Sequence, residues 1–256
     1  MPNYTKVARE ARIKVLDLIF KAQTSHVGSN LSAIDIMAVL FDKVDPEKDE
    51  VILSAGWKAA AWYYFLWKKG IITEDELNSF CMPNSRFIGL TEPIDNRWGL
   101  KFAGGSMGLG ICAAVGFALS KKLKGEEGKV YVLLSDGECQ IGTLLESAQI
   151  ANHYQLGNLR VILDNNGYQA MGKTENILPV NKVIESMKHF FDVKYIYGHD
   201  YEALENIITY GKHSYPKLFD CRTIKGNGVS VFEGNNLYHY KNLSEEEYNL
   251  ALKEQK

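Results

Sequence analysis

The feature that most constrains the fold of this chain is a pair of short apolar runs, each ending in a polar turn. Val130–Leu134 precedes Ser135-Asp136-Gly137, and Leu159–Leu163 precedes Asp164-Asn165-Asn166-Gly167. Between them, Thr143–Tyr154 carries apolar residues at helical spacing. A strand, a helix and a strand in this order predict a right-handed parallel crossover. Both polar turns then lie at the carboxyl ends of parallel strands, where open α/β sheets bind ligands.

Asp136 and Asn166 are candidate cation ligands in these two turns. Carboxylate and carboxamide oxygens are hard ligands that suit Mg²⁺ where phosphates bind. The backbone carbonyl of Tyr168 would supply a third protein ligand. The alternative is that Asp136 caps the following helix and Asn166 only adopts a left-handed backbone conformation. The residues alone leave both interpretations open.

A glycine-rich loop, Gly104–Gly110, precedes a helix predicted over Ile111–Ser120. Free backbone N–H groups at a helix N-terminus form a cradle for a diphosphate. Close packing is the alternative, and the loop lacks the spacing of a dinucleotide-binding fingerprint. Two histidines, His26 and His239, lie in polar segments, where a lone histidine is usually a surface or capping residue.

Length and composition limit the classes of function. With 256 residues, the chain is expected to form one large α/β domain over residues 1–256. Its net charge of −2 argues against nucleic acid or an anionic membrane as a partner. The four cysteines lack zinc or CxxC spacing and suit a reducing compartment. No signal-peptide core or membrane-length apolar run occurs, so the expected location is cytoplasmic.

Periodicity and capping signals predict a doubly wound, mainly parallel sheet with helices on both faces. Ser25–Asn30 is predicted to be a polar turn, and Ser32 with Asp35 a capping box for the helix after it. Residues 83–103 are predicted to form a long irregular loop, and 121–128 a solvated turn. Further strands are predicted over 51–54, 193–197 and 217–223, and further helices over 6–23, 56–69, 181–188, 201–210 and 244–254.

Several segments of the chain match known motifs: Ser25-His26 before SAIDIMAVLF, then VILSAGW, GGSMGLGICAAVGFAL, SDGECQIGTLLESAQIA with DNNGYQ, and TIKGNGVSVFEGNNLYH. They resemble, in the same order, the motifs of the N-terminal, thiamine diphosphate (ThDP)-binding half of transketolase. The resemblance runs from about residue 5 to the end and implies the ThDP-binding fold. The match stops where transketolase would begin its pyrimidine-binding domain. A separate C-terminal transketolase-like subunit is therefore implied, in an α₂β₂ assembly.

The resemblance also implies roles for individual residues. Asp136, Asn166 and the Tyr168 carbonyl would hold Mg²⁺ or Ca²⁺ against the diphosphate. His26 and His239 would face the substrate and move protons. Glu146 matches a glutamate that couples the two active sites of the dimer. The residues implied to bind the cofactor are Trp57, Gly105, Ser106, Met107, Asp136, Gly137, Glu138, Asn166 and Lys225.

Five positions depart from the family pattern. Ser135 replaces the first glycine of GDG and leaves the metal-binding aspartate in place. In the motif that usually contains LSKGH, Ala55 stands at the lysine and Trp57 at the histidine. Leu90 aligns with the histidine of a GHP motif, and Ile141 replaces an acidic residue. Sites that bind hydroxyls discriminate through hydrogen bonds, so these changes put the usual phosphoketose donor in question.

The function implied by the resemblance is transfer of a two-carbon unit from a ketone donor to an aldehyde-type acceptor, in complex with a partner chain. Two alternatives remain. Trp57 and Leu90 favour a decarboxylating 2-oxo acid acyl transferase, whose donor needs fewer hydroxyl contacts. A non-catalytic binding module of the same fold is disfavoured because Asp136, Asn166 and Glu146 are retained. The expected substrate is thus a small ketose or 2-oxo acid.

Overall fold

The computed structural model describes residues 2–102, 104–209, 211 and 214–255. Its strands are β1 (Glu50–Leu53), β2 (Val130–Ser135), β3 (Leu159–Asn165), β4 (Tyr168–Gln169), β5 (Gly172–Lys173), β6 (Asp192–Tyr197) and β7 (Lys217–Arg222). The main sheet has the order β1-β2-β3-β7-β6, and every neighbouring pair in it is parallel. Strands β4 and β5 form a separate antiparallel hairpin. The five predicted strands are confirmed to within two residues at each end.

Ten α-helices and three short 3₁₀ segments surround the sheet in the described residues. The helices are α1 (Tyr4–Ala22), α2 (Val27–Lys43), α3 (Ala59–Lys68), α4 (Glu74–Asn78), α5 (Leu109–Lys124), α6 (Thr143–His153), α7 (Thr174–Ile177), α8 (Val180–Met187), α9 (Tyr201–Thr209) and α10 (Glu245–Glu254). The 3₁₀ segments are Gly56–Lys58, Asp136–Gln140 and Asn236–His239. Tyr210, the last residue of a predicted helix, lies outside the described residues. No helix in the described part of the chain combines the length and the apolar character needed to cross a bilayer.

The two faces of the sheet carry separate apolar cores because successive side chains of a strand point to opposite sides. Tyr131 and Leu133 of β2 belong to a core that includes residues of α1, α2, α3, α9 and α10. Val130, Val132 and Leu134 belong to a core with α5, α6 and α8. Near-continuous apolar strands are expected where both faces are covered. The predicted doubly wound α/β fold is confirmed.

The turn predicted over residues 25–30 is wrong from Val27 onward, because α2 begins there. Ser32 and Asp35, predicted as a capping box, lie inside this helix and are buried. Their polar groups have tertiary partners: the Ser32 hydroxyl donates to Asp164 at 2.7 Å, and Arg12 donates to Asp35 at 2.7 Å. A polar residue with such partners is stable inside a buried helix, although local propensity favours a cap.

Two further predictions about helix and loop bounds have clear outcomes. Helix α5 extends to Lys124 and ends at the left-handed Gly125, so only the last part of the predicted turn at 121–128 is irregular. Residues 83–102 contain no helix or strand, as predicted, and Ala103 lies outside the described residues.

Helix α5 contains two glycines that form a matched pair for a stability test. A Cβ at Gly110 would lie 2.3 Å from the Cβ of Ser54, whereas one at Gly116 would have no described non-local neighbour within 4 Å. Gly110→Ala is expected to destabilise the chain by about 1–3 kcal/mol through overpacking. Gly116→Ala is expected to stabilise it by about 0.5–1 kcal/mol, because alanine favours a helix. Urea unfolding followed by circular dichroism measures both, and an unchanged Gly110→Ala would contradict the close packing of α5 on β1.

Candidate functional site

A cavity of about 230 Å³ lies where the polar turns after β2 and β3 meet, at the carboxyl edge of the sheet. Nine of the thirteen predicted site residues line it, and they come from segments far apart in the chain. These nine are His26, Trp57, Gly105, Met107, Asp136, Gly137, Asn166, Tyr168 and His239. The structure therefore brings most of the predicted residues together at the predicted edge.

Asp136 and Asn166 are adjacent because Ser135 of β2 pairs with Asp164 of β3 in the parallel register. The Asp136 carboxylate is buried and accepts hydrogen bonds from the N–H of Gly137 at 2.9 Å and of Gly167 at 2.7 Å. Each carboxylate oxygen has a further lone pair, so these bonds do not prevent metal coordination. Burial, reinforced by the nearby charge of Asp164, raises the pKa of Asp136 to about 7. A nearby cation would therefore stabilise the charged form of this carboxylate.

The structure contradicts the capping interpretation of the two residues. The 3₁₀ segment after β2 is capped by Ser135 and Glu138, which form a reciprocal capping box, and not by Asp136. Gly167, with φ +80°, takes the left-handed conformation that was the alternative for Asn166. Asn166 is buried and its side chain contacts Ser32 and the Tyr168 N–H.

The glycine-rich loop before α5 runs very close to β1. A Cβ at Gly104 would lie 2.3 Å from the Leu53 carbonyl oxygen, and one at Gly56 would lie 2.4 Å from the Gly104 carbonyl carbon. The Gly105 N–H donates to the Ser54 carbonyl at 2.8 Å, and Gly105 itself has φ +98°. The close approach fixes the loop against β1. Packing is therefore one reason for the glycines, in addition to the predicted access of a ligand.

His26 and His239 lie side by side in the cavity wall, with ring centroids 5.0 Å apart. The His26 N–H donates to the His239 carbonyl at 3.1 Å, which ties the two segments together. Burial, followed by the charges of Lys58 and Lys225, lowers the pKa of His26 to about 4. Burial, followed by the charge of Lys225, lowers the pKa of His239 to about 3. Both imidazoles are therefore neutral at pH 7.

Asn30, which the sequence did not single out, positions the first of these histidines and Trp57. Its amide nitrogen donates to the carbonyl of His26 at 2.9 Å and to that of Trp57 at 3.0 Å. Its amide oxygen accepts from the N–H of Ala61 at 3.0 Å. A buried asparagine with all three bonds holds two cavity segments in one arrangement.

Four predicted site residues do not line the cavity. Lys225 is buried behind it, donates to Asn236 at 2.7 Å and lies 3.1 Å from His239 Nδ1. Burial, followed by the charge of Lys58, lowers its pKa to about 8. Glu138 is buried and accepts hydrogen bonds from Ser54, Ser135 and Gly108, so it braces the loops rather than facing the cavity.

The other two, Ser106 and Glu146, are exposed in this chain. Glu146 lies on α6 outside the cavity. Its predicted role between two active sites concerns contacts with another chain, which an exposed position allows.

Lys58 and Asp164 form a buried ion pair that sequence reasoning missed. Both side chains are 0% exposed, and Lys58 Nζ lies 2.5 Å from Asp164 Oδ2. Ser32 and Thr223 also donate to this carboxylate. The sequence offered one signal, since Lys58 directly follows the motif that contains Trp57, but its partner is 106 residues away.

A second buried network, around Asp35, holds the turn that contains Lys225. Asp35 accepts from Tyr201 at 2.7 Å, and His199 Nδ1 lies 2.6 Å from it. The N–H of Ile224 donates to His199 Nε2 at 2.9 Å, so Nδ1 carries the proton and donates to Asp35. Sequence reasoning named no partner for His199; His213, for which it also named none, lies outside the described residues.

Comparisons with known proteins agree with this geometry. A family model described as transketolase, thiamine diphosphate binding domain, matches residues 4–255. The chain belongs to this transketolase family. One of the subunits of apulose-4-phosphate transketolase from Actinobacillus succinogenes is 33% identical over 98% of this chain and 95% of that protein. The 6-deoxy-6-sulfo-D-fructose transketolase subunit SqwG of a Clostridium species is 30% identical over 96% of this chain and 94% of that protein.

Among solved structures, transketolase of Campylobacter jejuni has a TM-score of 0.88 and 25% identity. The match covers 100% of this chain and 43% of that one. The predicted resemblance to the ThDP-binding subunit of a split transketolase is confirmed by these comparisons, as is the ThDP-binding fold.

The residues of this transketolase-family cavity fit the ThDP and divalent cation that the family implies. The described residues contain no cluster of three His, Cys, Asp or Glu side chains suited to a metal. A cation would therefore need Asp136 together with amide and carbonyl oxygens, the hard donors that Mg²⁺ and Ca²⁺ accept. Gly137 leaves room beside the cavity, because a Cβ there would lie 3.5 Å from Gln169 and 3.7 Å from Met107.

The low pKa of His26 predicts how the stability of this family member depends on pH. Histidine titrates near 6.5 in an unfolded chain, so between about pH 6.5 and 4 the unfolded state binds more protons than the folded state. The free energy of unfolding is therefore expected to fall as the pH decreases across this window. His26→Gln should reduce the fall, while His153→Gln, at the exposed end of α6, should leave it unchanged. Urea titrations at several pH values measure this, and equal falls in wild type and His26→Gln would contradict it.

Proposed function

We propose that this chain is the ThDP- and metal-binding subunit of a two-chain transketolase-type enzyme. The enzyme transfers a two-carbon unit from a ketone donor to an aldehyde-type acceptor. The observation that carries the proposal is the cavity in which Asp136, Asn166, His26 and His239 meet, in a chain of this family. Relatives matched over nearly their full length are named as transketolase subunits, which supports a separate partner chain.

We propose roles for the residues of the cavity as follows. Residues 1–256 form one ThDP-binding domain. Asp136, Asn166 and the Tyr168 carbonyl hold Mg²⁺ or Ca²⁺. The N–H groups near Gly105 and Gly137 lie beside the diphosphate. Bound ThDP supplies the carbanion chemistry, and the protein orients it and handles protons.

His26 and His239 are the proposed proton-transfer residues. The ammonium of Lys225 donates to Nδ1 of His239, so the neutral ring carries its proton on Nε2. His26 Nδ1 lies 2.7 Å from the Ser25 hydroxyl, which fixes the ring orientation. With pKa values of about 4 and about 3, both rings are neutral at pH 7, and the Nε2–H of His239 can donate a hydrogen bond.

The partner supplies the pyrimidine-binding half and an α₂β₂ assembly is proposed. Exposed apolar side chains on α5 and α6 support a contact there: Leu109 is 50% exposed, Leu145 42% and Ile150 45%. Glu146 lies on the same helix α6, as its proposed role between active sites requires. The four cysteines are free thiols, which supports a cytoplasmic location.

Metal and cofactor binding test the proposal directly. In the complex reconstituted with its partner chain, Asp136→Asn is expected to weaken ThDP binding in the presence of Mg²⁺ at least about tenfold, because a buried cation loses its carboxylate. EDTA should weaken binding to the wild type. Asp220→Asn removes a buried carboxylate of β7 that does not line the cavity, and it should bind ThDP as the wild type does. Calorimetry measures each affinity; a wild-type complex that binds no ThDP would leave only a non-catalytic module.

A decarboxylating 2-oxo acid transferase is the second candidate, and one observation favours it. Trp57 lines the cavity, and Leu90 lies against the Gly105 loop, since a Cβ at Gly105 would be 3.1 Å from Leu90. These apolar groups stand where the family pattern has histidines. The similar subunits are named for ketose derivatives, which supports the first candidate.

A donor panel separates these two candidates. The reconstituted complex is expected to transfer two carbons from a ketose donor to an aldehyde and to release no carbon dioxide from pyruvate. Trp57→His is expected to raise kcat/KM for hydroxylated donors, because it restores a hydrogen-bonding group. Coupled assays of aldehyde release and of carbon dioxide measure both reactions. Carbon dioxide release from pyruvate without ketose turnover would establish the second candidate instead.

A further inference from the structure

Lys58 is a fully buried cation in the wall of the cavity. Its side chain is 0% exposed, and the residue lines the cavity beside Trp57 and Ser29. Among the described residues its ammonium has two acceptors, Asp164 Oδ2 at 2.5 Å and the Ser29 carbonyl at 3.2 Å. An ammonium carries three N–H groups. The described residues therefore leave one N–H of Lys58 without an acceptor.

The ion pair of Lys58 is linked to the predicted metal site by hydrogen bonds. Asp164 accepts from the Ser32 hydroxyl at 2.7 Å, and that hydroxyl accepts from the Asn166 amide at 3.3 Å. Asp164 also lies close enough to Asp136 for its charge to act on that carboxylate. The ammonium thus lies at the end of the cavity that contains the predicted metal ligands.

The negative charge expected at this end of the cavity would be more than one divalent metal ion neutralises, so a second cation would stabilise it. Asp136 and Asp164 are both buried carboxylates. A diphosphate placed beside them adds more negative charge than one divalent cation neutralises. Buried charge is stable only when it is paired and hydrogen-bonded. Lys58 is the buried cation that already contacts one of the two carboxylates.

The position of Lys58 in the chain fits this requirement. Ala55 stands where the family motif has lysine or asparagine, and Lys58 follows three residues later. Ala55 precedes the 3₁₀ segment Gly56–Lys58, and the N–H of Lys58 donates to the Ala55 carbonyl at 2.9 Å. A positive side chain is thus present three residues after position 55.

We propose that Lys58 donates a hydrogen bond to the diphosphate of ThDP and is a fixed cation beside the metal, an inference that rests on the proposed cofactor-binding function. In this arrangement Asp164 orients Lys58 and also competes with the diphosphate for its charge. Lys58 is then a cofactor-binding residue, in addition to those that the family resemblance implies.

Unequal effects of two substitutions test the inference. Lys58→Met removes the cation and leaves Asp164 as a bare carboxylate beside the diphosphate, so ThDP binding should weaken more than about tenfold. Asp164→Asn keeps an oxygen acceptor for Lys58, Ser32 and Thr223 and removes the competing charge, so binding should weaken much less than in Lys58→Met. The double variant removes both charges and should lie between the wild type and Lys58→Met. Calorimetry of the reconstituted complex with ThDP and Mg²⁺ measures all four affinities.

These results differ from those expected if the ion pair has only a structural role. If Lys58 served only to neutralise Asp164, the two single variants would weaken binding equally, or Lys58→Met would bind within twofold of the wild type; either result overturns the inference. If the single variants fail to fold, the double variant decides, and wild-type affinity in it overturns the inference. The control is Lys217→Met with Asp192→Asn, which removes an ion pair between a buried lysine and a partly exposed aspartate at the opposite end of the sheet; this variant should bind ThDP normally. A wild-type complex that binds no ThDP overturns the proposed function itself.

Discussion

The buried carboxylate of Asp164 is the interaction on which the architecture of the site depends. It lies at the carboxyl end of β3 and contacts Lys58 of the first 3₁₀ segment, Ser32 of α2 and Thr223 after β7. Breaking such a pair by removing one partner leaves an uncompensated buried charge, which costs about 3–5 kcal/mol. Three segments that line or support the cavity are therefore held to one strand end by a single charged group.

The same principle explains why α2 is polar on its inner side. Asn30 holds the His26 and Trp57 segments, Ser32 contacts Asp164, and Asp35 holds the turn after β7 through His199. An apolar helix at this place would pack against the sheet, but it would leave the loops without fixed positions. A site on loops needs such supporting hydrogen bonds to keep its geometry.

The sequence predicted the elements that depend on local pattern and missed those that depend on distant partners. Apolar strand runs and the handedness of the crossover were sufficient to place Asp136 near Asn166. Ser32 and Asp35 looked like a cap because a capping motif is local, whereas their true partners are at Asp164 and Arg12. The pair of Lys58 and Asp164, separated by 106 residues, has no local signature that periodicity could detect.

The charges of the cavity connect the proposed diphosphate site with the proposed proton-transfer histidines. Lys58 and Lys225 favour an anionic group in the cavity, and after burial their charges lower the pKa of His26. A positive environment that suits a diphosphate therefore also keeps the neighbouring imidazole neutral at pH 7. Trp57 replaces a histidine of the family pattern without removing either lysine. The cofactor end of the site can thus be retained while the contacts to the substrate change.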